Sequence, residues 1–585
     1  MEKVISPSSQ SKSREPVHPP EVGLSRRKNY QAWSKEELVR EIQKLEKRKK
    51  YGLVWEDKPE QVAELCKEQL PILIEEKGKG ILTDSSEPTN ILIEGDNYHA
   101  LSVLNYTHKG KIDVIYIDPP FNTGSQSWKY NNDYVEKDDA FWHSKWLSFM
   151  EKRLRLAKPL LKNDGAIIVA IDDYEVNHLG VLLEEIFPAY ERDLIIVIHH
   201  PQGAGSETIS RVHEYAYVCT PKGIGLKGRK TTSEEDRWSL KRSGQGENNW
   251  RVNRRKQFFA VHVDEKTRKV IGIGPELPKD KKDYPKGKTA EGYVRIYPID
   301  REGKERVWRY NRPTMTDLIK AGLVEYTEKG SLVIKKQGVN AVPVFSVWQG
   351  ARYNAGTYGS SLLTEIMGTA NTFPYPKSLY TVADMLAIII GNDRNALVLD
   401  FFAGSGTTGH AVLEMNKDDG GKRKSILCTN NENNICTEVC LPRMAKVIKG
   451  YKNGKGQKVE GLGGNLKYFA TDFVDAAPTD RNKKRLVDRS TEMLCLKEDC
   501  FDEVKRTADY AIFKNGEGKH LGIVYDDDGI DPFKKEAKRL NRKLVVYVFS
   551  LDESAREEEF KDVEKLVEPR PIPAVILNVY RRIFR

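Results

Sequence analysis

The sequence predicts an α/β fold built on a buried parallel sheet, and three observations carry that reading. Short apolar runs recur at residues 90–94, 114–117, 165–171, 397–399 and 425–429, and an acidic residue stands at or just beyond the end of each. Apolar residues at helical spacing lie between them, as in Trp142, Trp146, Leu147, Met150, Leu154, Leu156 and Leu160, or Leu379, Val382, Met385, Leu386 and Ile389. Two of the strand ends, finally, run into turns whose composition is chemical as well as structural.

The first turn is Asp118-Pro119-Pro120-Phe121, after Val114-Ile115-Tyr116-Ile117. Open α/β sheets place their chemistry at the carboxyl ends of strands, where Asp118 stands. Pro119 and Pro120 fix φ and lack an N–H, so the strand stops and the turn is rigid. It holds a carboxylate, a carbonyl and an aromatic face together. That set suits a flat, neutral, amine-bearing ring such as a nucleobase, although a plain strand-to-loop turn has the same local pattern. The second turn follows Leu397-Val398-Leu399-Asp400: Phe401-Phe402-Ala403-Gly404-Ser405-Gly406-Thr407-Thr408-Gly409. It reads strand, glycine turn, helix. Gly404, Gly406 and Gly409 also match the dinucleotide fingerprint G-x-G-x-x-G, which by itself is weak.

Together the two turns resemble the DNA amino-methyltransferases that use S-adenosylmethionine. Asp118-Pro119-Pro120-Phe121 looks like their catalytic D-P-P-Y/F motif, and Phe402-Ala403-Gly404-Ser405-Gly406 like their F-x-G-x-G cofactor motif. The catalytic motif comes first, the order of the β class. Glu94-Gly95-Asp96-Asn97, Ile171-Asp172-Asp173 and His213-Glu214-Tyr215 extend the resemblance to the Mod subunits of type III restriction–modification systems, over roughly residues 50–470. The resemblance implies a Rossmann-like methyltransferase core with permuted motif order, an inserted target-recognition region and a small C-terminal α/β domain. It implies S-adenosylmethionine as cofactor, held by Asp96, Lys377, Asp400, Phe402, Ala403, Gly404, Ser405, Gly406, Thr407 and Glu432. The implied substrate is double-stranded DNA, with adenine N6 favoured over cytosine N4 because the motif opens with Asp. A Res-type ATPase/endonuclease subunit and a second copy of the chain are the candidate partners.

Composition sets wider bounds. The 585 residues suffice for several domains, 31% of them are charged, and the net charge of +10 suits a polyanionic partner without establishing one. No apolar run reaches the roughly 18 residues of a membrane span, and the first residues lack a secretion h-region, so the expectation is a cytoplasmic chain without a membrane partner. Seven scattered cysteines read as free thiols, and no metal centre is expected.

In chain order, residues 1–80 are expected to be a Ser/Pro-rich arm followed by helices. The first helix starts at Ser34, with Glu37 closing a capping box. A Lys-Arg-Lys-Lys cluster ends it at 47–50, and residues 51–80 read as amphipathic helix. Residues 81–200 form the catalytic half of the core. Asp96 stands where it can cap a helix or face the cofactor. The loop 122–139 reads as a cover over the site. His199 and His200 point to opposite faces if they lie on a strand, so they do not pair on a metal. Residues 201–365 are assigned to target recognition. Arg251, Arg254 and Arg255 precede Phe258 and Phe259, and Arg306, Arg309 and Arg312 surround Trp308 and Tyr310. Basic residues interleaved with aromatics fit phosphate contact plus base stacking. Residues 366–470 form the cofactor half, where Asn430, Asn431 and Glu432 compete for the ribose-binding position, and 450–464 read as a linker. Residues 471–585 are the C-terminal domain, with strands at 521–525, 544–549 and 573–577.

Other classes remain at this level. A nicotinamide dehydrogenase would explain the glycines and leave Asp118-Pro119-Pro120-Phe121 unexplained. A non-catalytic DNA-specificity subunit, an RNA or protein methyltransferase, and a solitary adenine or N4-cytosine methyltransferase are the further alternatives. No G-x-x-x-x-G-K-[ST] is present in the sequence, so ATP hydrolysis would belong to another subunit.

Overall fold

The computed structural model describes residues 33–46, 55 and 58–584, apart from 85, 125–128, 131–132, 135–138, 140, 204–208, 228–236, 244–245, 278–282, 329, 336–342, 371 and 553. Residues 1–54 and 55–585 are two compact units. In the first, helix α1 (Lys35–Glu46) begins with the expected capping box: Ser34 donates its N–H to Glu37 (2.8 Å) and Glu37 donates its own to Ser34 Oγ (3.2 Å). The basic cluster 47–50 lies outside the described residues, as does most of the loop 122–139.

The second unit is organised on one ten-stranded sheet. Its strands are β1 (Gln69–Glu75), β2 (Thr89–Glu94), β3 (Ile112–Ile117), β4 (Leu161–Ile171), β5 (Tyr190–Ile198), β6 (His213–Pro221), β7 (Val347–Trp348), β8 (Leu397–Asp400), β9 (Lys424–Thr429) and β10 (Asn465–Asp475). Their spatial order is β1-β10-β2-β9-β8-β3-β4-β6-β5-β7. From β10 to β4 the neighbours run parallel. Strand β6 is antiparallel to both β4 and β5. Ile91, Leu92, Ile93, Val114, Ile115, Ile167, Ile168, Val169, Val398 and Ile426 are buried, as apolar strands covered on both faces must be.

The helices that matter for the site are α2 (Gln61–Glu68), α3 (Asn97–Thr107), α4 (Trp142–Ala157), α5 (Val176–Ile186), α6 (Leu379–Ile390), α7 (Thr407–Asp419) and α8 (Leu441–Lys449). After β3 the chain passes through α4 to β4. After β8 it passes through α7 to β9. The paired strands β3 and β8 therefore send their crossovers in opposite directions, which opens a crevice at their carboxyl ends.

Several expectations are corrected. Residues 69–75 form a strand rather than a continuation of helix. Pro71 is tolerated because β1 is an edge strand with a partner on one side only. Strand β10 crosses the expected boundary at 470, and β6 lies inside the core sheet although 201–365 were assigned to recognition. Residues 450–464 contain a two-stranded ribbon. The C-terminal region has a five-stranded sheet, and 574–584 is helical, with the fifth strand at Val567–Ile572. That last helix is held by packing: buried Ile576 and Tyr580 lie one turn apart, and the Tyr580 hydroxyl donates to the Pro71 carbonyl. All seven cysteines are buried and unpaired. No helix among the described residues is long and apolar enough to cross a membrane.

The third glycine of the fingerprint has a packing role. A Cβ on Gly409 would stand 2.8 Å from both Leu427 Cδ1 and Met444 Sδ, because α7 lies flat on β9 and α8. Gly409→Val is expected to destabilise the chain by about 1–3 kcal/mol through overpacking. Urea unfolding followed by far-UV circular dichroism measures this, and an unchanged midpoint would refute the close contact.

Candidate functional site

Asp118-Pro119-Pro120-Phe121 and the glycine turn leave adjacent strands at the same edge. The pairings Val398–Val114 and Leu399–Ile115 fix their register. Both turns line one cleft of about 680 Å³, together with Asp96, Lys377, Phe373, Phe149, Glu432 and Ile435. A larger groove of about 890 Å³ lies elsewhere on the unit and holds none of the motif residues. Its charges are largely spent on each other, as in Lys162–Asp113 (2.6 Å) and Lys424–Asp499 (2.5 Å).

The first turn is held from behind. Trp146 Nε1 donates to the Pro120 carbonyl (2.7 Å), while the Pro119 carbonyl accepts nothing from the described residues. Asn122 follows with left-handed backbone (φ +58°) and is fully buried, its amide donating to Glu175. Glu175 is a hub: His143 and His178 approach its two oxygens through Nδ1 at 2.7 and 2.8 Å. These three residues also bring potential metal-ligating atoms within 4.8 Å of one another. The N···O separations are those of hydrogen bonds, and the arrangement ties the turn to α4 and α5.

Asp118 is the chemical centre of the cleft. Its side chain is 27% exposed, and Lys377 Nζ lies 3.3 Å from Oδ1, yet Oδ1 receives no directed hydrogen bond. Burial pushes the carboxyl up to about 6, with Lys377 pulling it down and Glu214 pushing it further up. Lys377 also pairs with Glu214 and sits 4.5 Å from the Phe121 ring centroid. Burial opposes its charge, but the two carboxylates hold it well above the ordinary lysine range. Asp172, at the end of β4, is likewise raised to about 6 by burial.

The glycine turn is shaped from within. Gly404 and Gly406 take positive φ (+50° and +81°), and a Cβ on Gly404 would meet the Phe373 ring at 3.0 Å. Asp400 turns back on its own loop, accepting from Phe402 N (2.9 Å) and Thr408 Oγ1 (2.5 Å). Burial raises its carboxyl to about 7. Buried Arg443 on α8 donates to Ser405 Oγ (3.0 Å), the Ser405 carbonyl (3.3 Å) and Thr407 Oγ1 (2.8 Å). Asp96 caps α3 by accepting from Tyr98 N (2.7 Å) and also faces the cleft. Arg153, with no exposed side chain, joins Asp96 (3.3 Å), Glu60 (2.7 Å) and Asn97. Glu432 stands on a short 3₁₀ turn just beyond β9, in the cleft wall. A bare glycine turn, aromatic walls and acids at the ends of β2 and β9 fit a nucleoside carrying a cationic tail.

The sequence showed no sign of Arg153, Arg443, Glu60 or Glu175, and it marked Trp146 only as an apolar residue of a helix face. Each reaches its partner from a different element, and an isolated Arg or Trp in a helix carries no motif. Asn97, by contrast, was visible in Glu94-Gly95-Asp96-Asn97.

The recognition arginines divide. Arg306 is buried, paired with Asp300 (2.8 Å) and stacked on Trp250, and Arg251 pairs with Glu305 (2.9 Å) over the Phe258 ring. Phe258, Phe259 and Trp308 are buried in the core of this region, so they do not stack on bases. These readings are corrected: the insert has its own small core, and these groups build it. Arg309 is exposed and Arg254, Arg255 and Arg312 are half-exposed. Arg309 donates to the Ser239 carbonyl (2.7 Å) and Arg312 to that of Gly274 (3.2 Å).

A family model described as DNA methylase matches residues 112–439, more than half of the chain. The EcoPI Mod subunit of a type III restriction–modification enzyme, from Escherichia phage P1, is 30% identical over 62% of this chain and 60% of its own length. The type II methyltransferase M.KpnI of Klebsiella pneumoniae is 29% identical over 65% of this chain and 88% of its own. The StyLTI Mod subunit of Salmonella typhimurium is 27% identical over 61% and 55%. The chain thus spans less than two thirds of the length of the type III relatives named here.

Arg443→Met removes the three hydrogen bonds from this guanidinium to the turn, and is expected to keep the far-UV spectrum and to weaken S-adenosylmethionine binding by at least about tenfold. Titration calorimetry measures it. Wild-type affinity in the variant would show that Arg443 does not shape the turn.

Proposed function

The chain belongs to the DNA methylase family whose model spans residues 112–439, and on that premise we propose that it transfers a methyl group from S-adenosylmethionine to the exocyclic amine of adenine in duplex DNA. The observation that carries the reading is the meeting of Asp118 and the glycine turn in one cleft, from adjacent parallel strands. The cofactor, when bound, supplies a methyl group activated by the positive sulfonium.

Asp96 and Glu432 would hold its polar groups, and Gly404, Ser405 and Phe402 its body. Asp118 and the Pro119 carbonyl would accept the two amine hydrogens. That turns the nitrogen lone pair out of conjugation with the ring and aims it at the methyl carbon. Transfer to that nitrogen would form the N–C bond as the donor's S–C bond breaks, with the pair leaving on sulfur. The nitrogen then sheds one proton, which Asp118 can take, its carboxyl being raised to about 6. The target must leave the duplex to reach the cleft. Arg254, Arg255, Arg309 and Arg312 are the half-exposed and exposed cations suited to phosphate contact.

The type III relatives support a Mod role with a Res-type partner subunit. M.KpnI supports a second reading, a methyltransferase that works alone, because the match takes in 88% of its length.

Asp118 can take up the amine proton, and accepts most strongly, only when ionised, so activity should fall as pH drops through about 6. The folded carboxyl lies above its ordinary value. Its ionisation therefore costs folding stability as pH rises toward 6, while activity rises over the same range. Asp118→Ala is expected to retain S-adenosylmethionine binding and lose transfer by at least about a hundredfold. Titration calorimetry measures the retained binding, and tritiated-methyl transfer to genomic DNA measures the lost transfer and the pH profile. A variant at wild-type rate would remove Asp118 from the chemistry, and a nicotinamide-only thermal shift would favour the dehydrogenase.

A further inference from the structure

Lys377 was expected among the cofactor contacts. It lines the cleft shared with the glycine turn, and its ammonium stands against the catalytic turn, 3.3 Å from Asp118 Oδ1, paired with Glu214 and 4.5 Å from the Phe121 ring centroid. Its side chain is 10% exposed and that of Glu214 8%. The segment carrying it is fixed in place: a Cβ on Gly359 would overlap the Pro376 carbonyl at 2.1 Å, so the two backbones lie in direct contact. Ser378, the next residue, donates to the Arg352 carbonyl (2.7 Å). A buried lysine held this firmly is a costly feature for a cleft wall and calls for a chemical role.

An ammonium has three N–H donors. One meets Glu214 and one lies toward Asp118, which leaves a donor beside the acceptor Oδ1. An acceptor and a donor set side by side complement an amine next to an unprotonated ring nitrogen. That is the edge shared by adenine and cytosine.

We propose that Lys377 donates to the ring nitrogen beside the target amine, so that Asp118 and Lys377 read the flipped base as a pair. The inference rests on the methyltransferase reading above and specifies the substrate edge of the same site. The ring nitrogen carries an in-plane lone pair and is a better nucleophile than the amine, whose pair is delocalised. Left uncovered, it would compete for the methyl group. Lys377 masks that pair and leaves only the amine, freed by Asp118, to attack. Guanine and thymine present an N–H at the neighbouring ring position, which would face an ammonium without an acceptor, so the same lysine rejects them. Glu214 keeps the ammonium in place when Asp118 takes up the amine proton.

The test is a substrate-by-variant cycle on the full-length protein. Sequencing of methylated DNA from expressing cells first locates the site and base. Duplex oligonucleotides then carry that site with adenine or with 1-deazaadenine, in which a C–H replaces N1. If the base is cytosine, 3-deazacytosine serves. Wild-type protein is expected to lose about 10–100-fold in kcat/KM on the deaza base. Lys377→Met should lose a similar factor on the natural base and nothing further on the deaza base. Liquid chromatography–mass spectrometry of Lys377→Met products should also reveal ring-nitrogen methylation, which wild type does not make. Losses that multiply in the variant would overturn the proposal, since Lys377 would then act only through Asp118. Full wild-type activity on the deaza base would overturn it even if Lys377→Met fails to fold. Transfer to no base in any DNA would remove the methyltransferase reading itself, and this inference with it. Methylation of natural DNA with a null cycle removes this inference alone.

Discussion

The pairing of β3 with β8 is the constraint on which the rest depends. These strands are nearly three hundred residues apart in sequence, yet Val114 lies opposite Val398 and Ile115 opposite Leu399. Because the strands are parallel and their crossovers diverge, whatever follows each must emerge at the same edge with a gap between. Asp118 and the glycine turn acquire a common cleft from that geometry alone. The order of the motifs along the chain is then immaterial: a sheet assembled as β9-β8-β3-β4 gives the same crevice whichever half is synthesised first.

Around this crevice the fold concentrates charge where water is scarce. Asp118, Asp400 and Asp172 are all raised by burial, but they are handled differently. Asp400 spends its oxygens on Phe402 N and Thr408, so it serves the shape of the turn. Asp118 keeps Oδ1 without a directed donor and is balanced by the Lys377 ammonium 3.3 Å away. The first is a structural carboxylate and the second is poised to act on something that enters. Sequence position, at the end of a strand in both cases, does not separate them; their hydrogen bonds do.

The strands and turns were legible because their signals are local. Apolar runs bounded by Asp or Gly, the Ser34–Glu37 capping box and the paired prolines each act within a few residues. What failed depended on distant partners. Residues 69–75 lack a strand signature strong enough to outweigh Pro71, and they are a strand because β10 lies alongside. Val575, Ile576 and Leu577 have strand composition, yet the packing of Ile576 and Tyr580 makes a helix of them. Arg251 and Arg306 read as surface cations because a sequence shows charge and not burial. Asp300, close to Arg306 in the chain, was the available hint that this cation is neutralised within the insert, whereas Glu305 stands far along the chain from Arg251 and gave none.

The same reasoning explains why the supports of the site escape a motif search while the site does not. Asp118-Pro119-Pro120-Phe121 must be contiguous, since the turn's rigidity comes from covalent geometry. Its supports need only deliver one atom each: Trp146 its Nε1 to Pro120, Glu175 its carboxylate to Asn122, Arg443 its guanidinium to Ser405 and Thr407. Any element that passes nearby can supply such an atom, and here α4, the N-terminal end of α5 and α8 do so. Function in this fold therefore has a contiguous part, readable as a string, and a scattered part that exists only once the sheet has formed. Lys377 and Glu214 belong to the scattered part. They meet across the end of the sheet from a loop and from β6, and neither alone suggests that an ammonium stands beside Asp118.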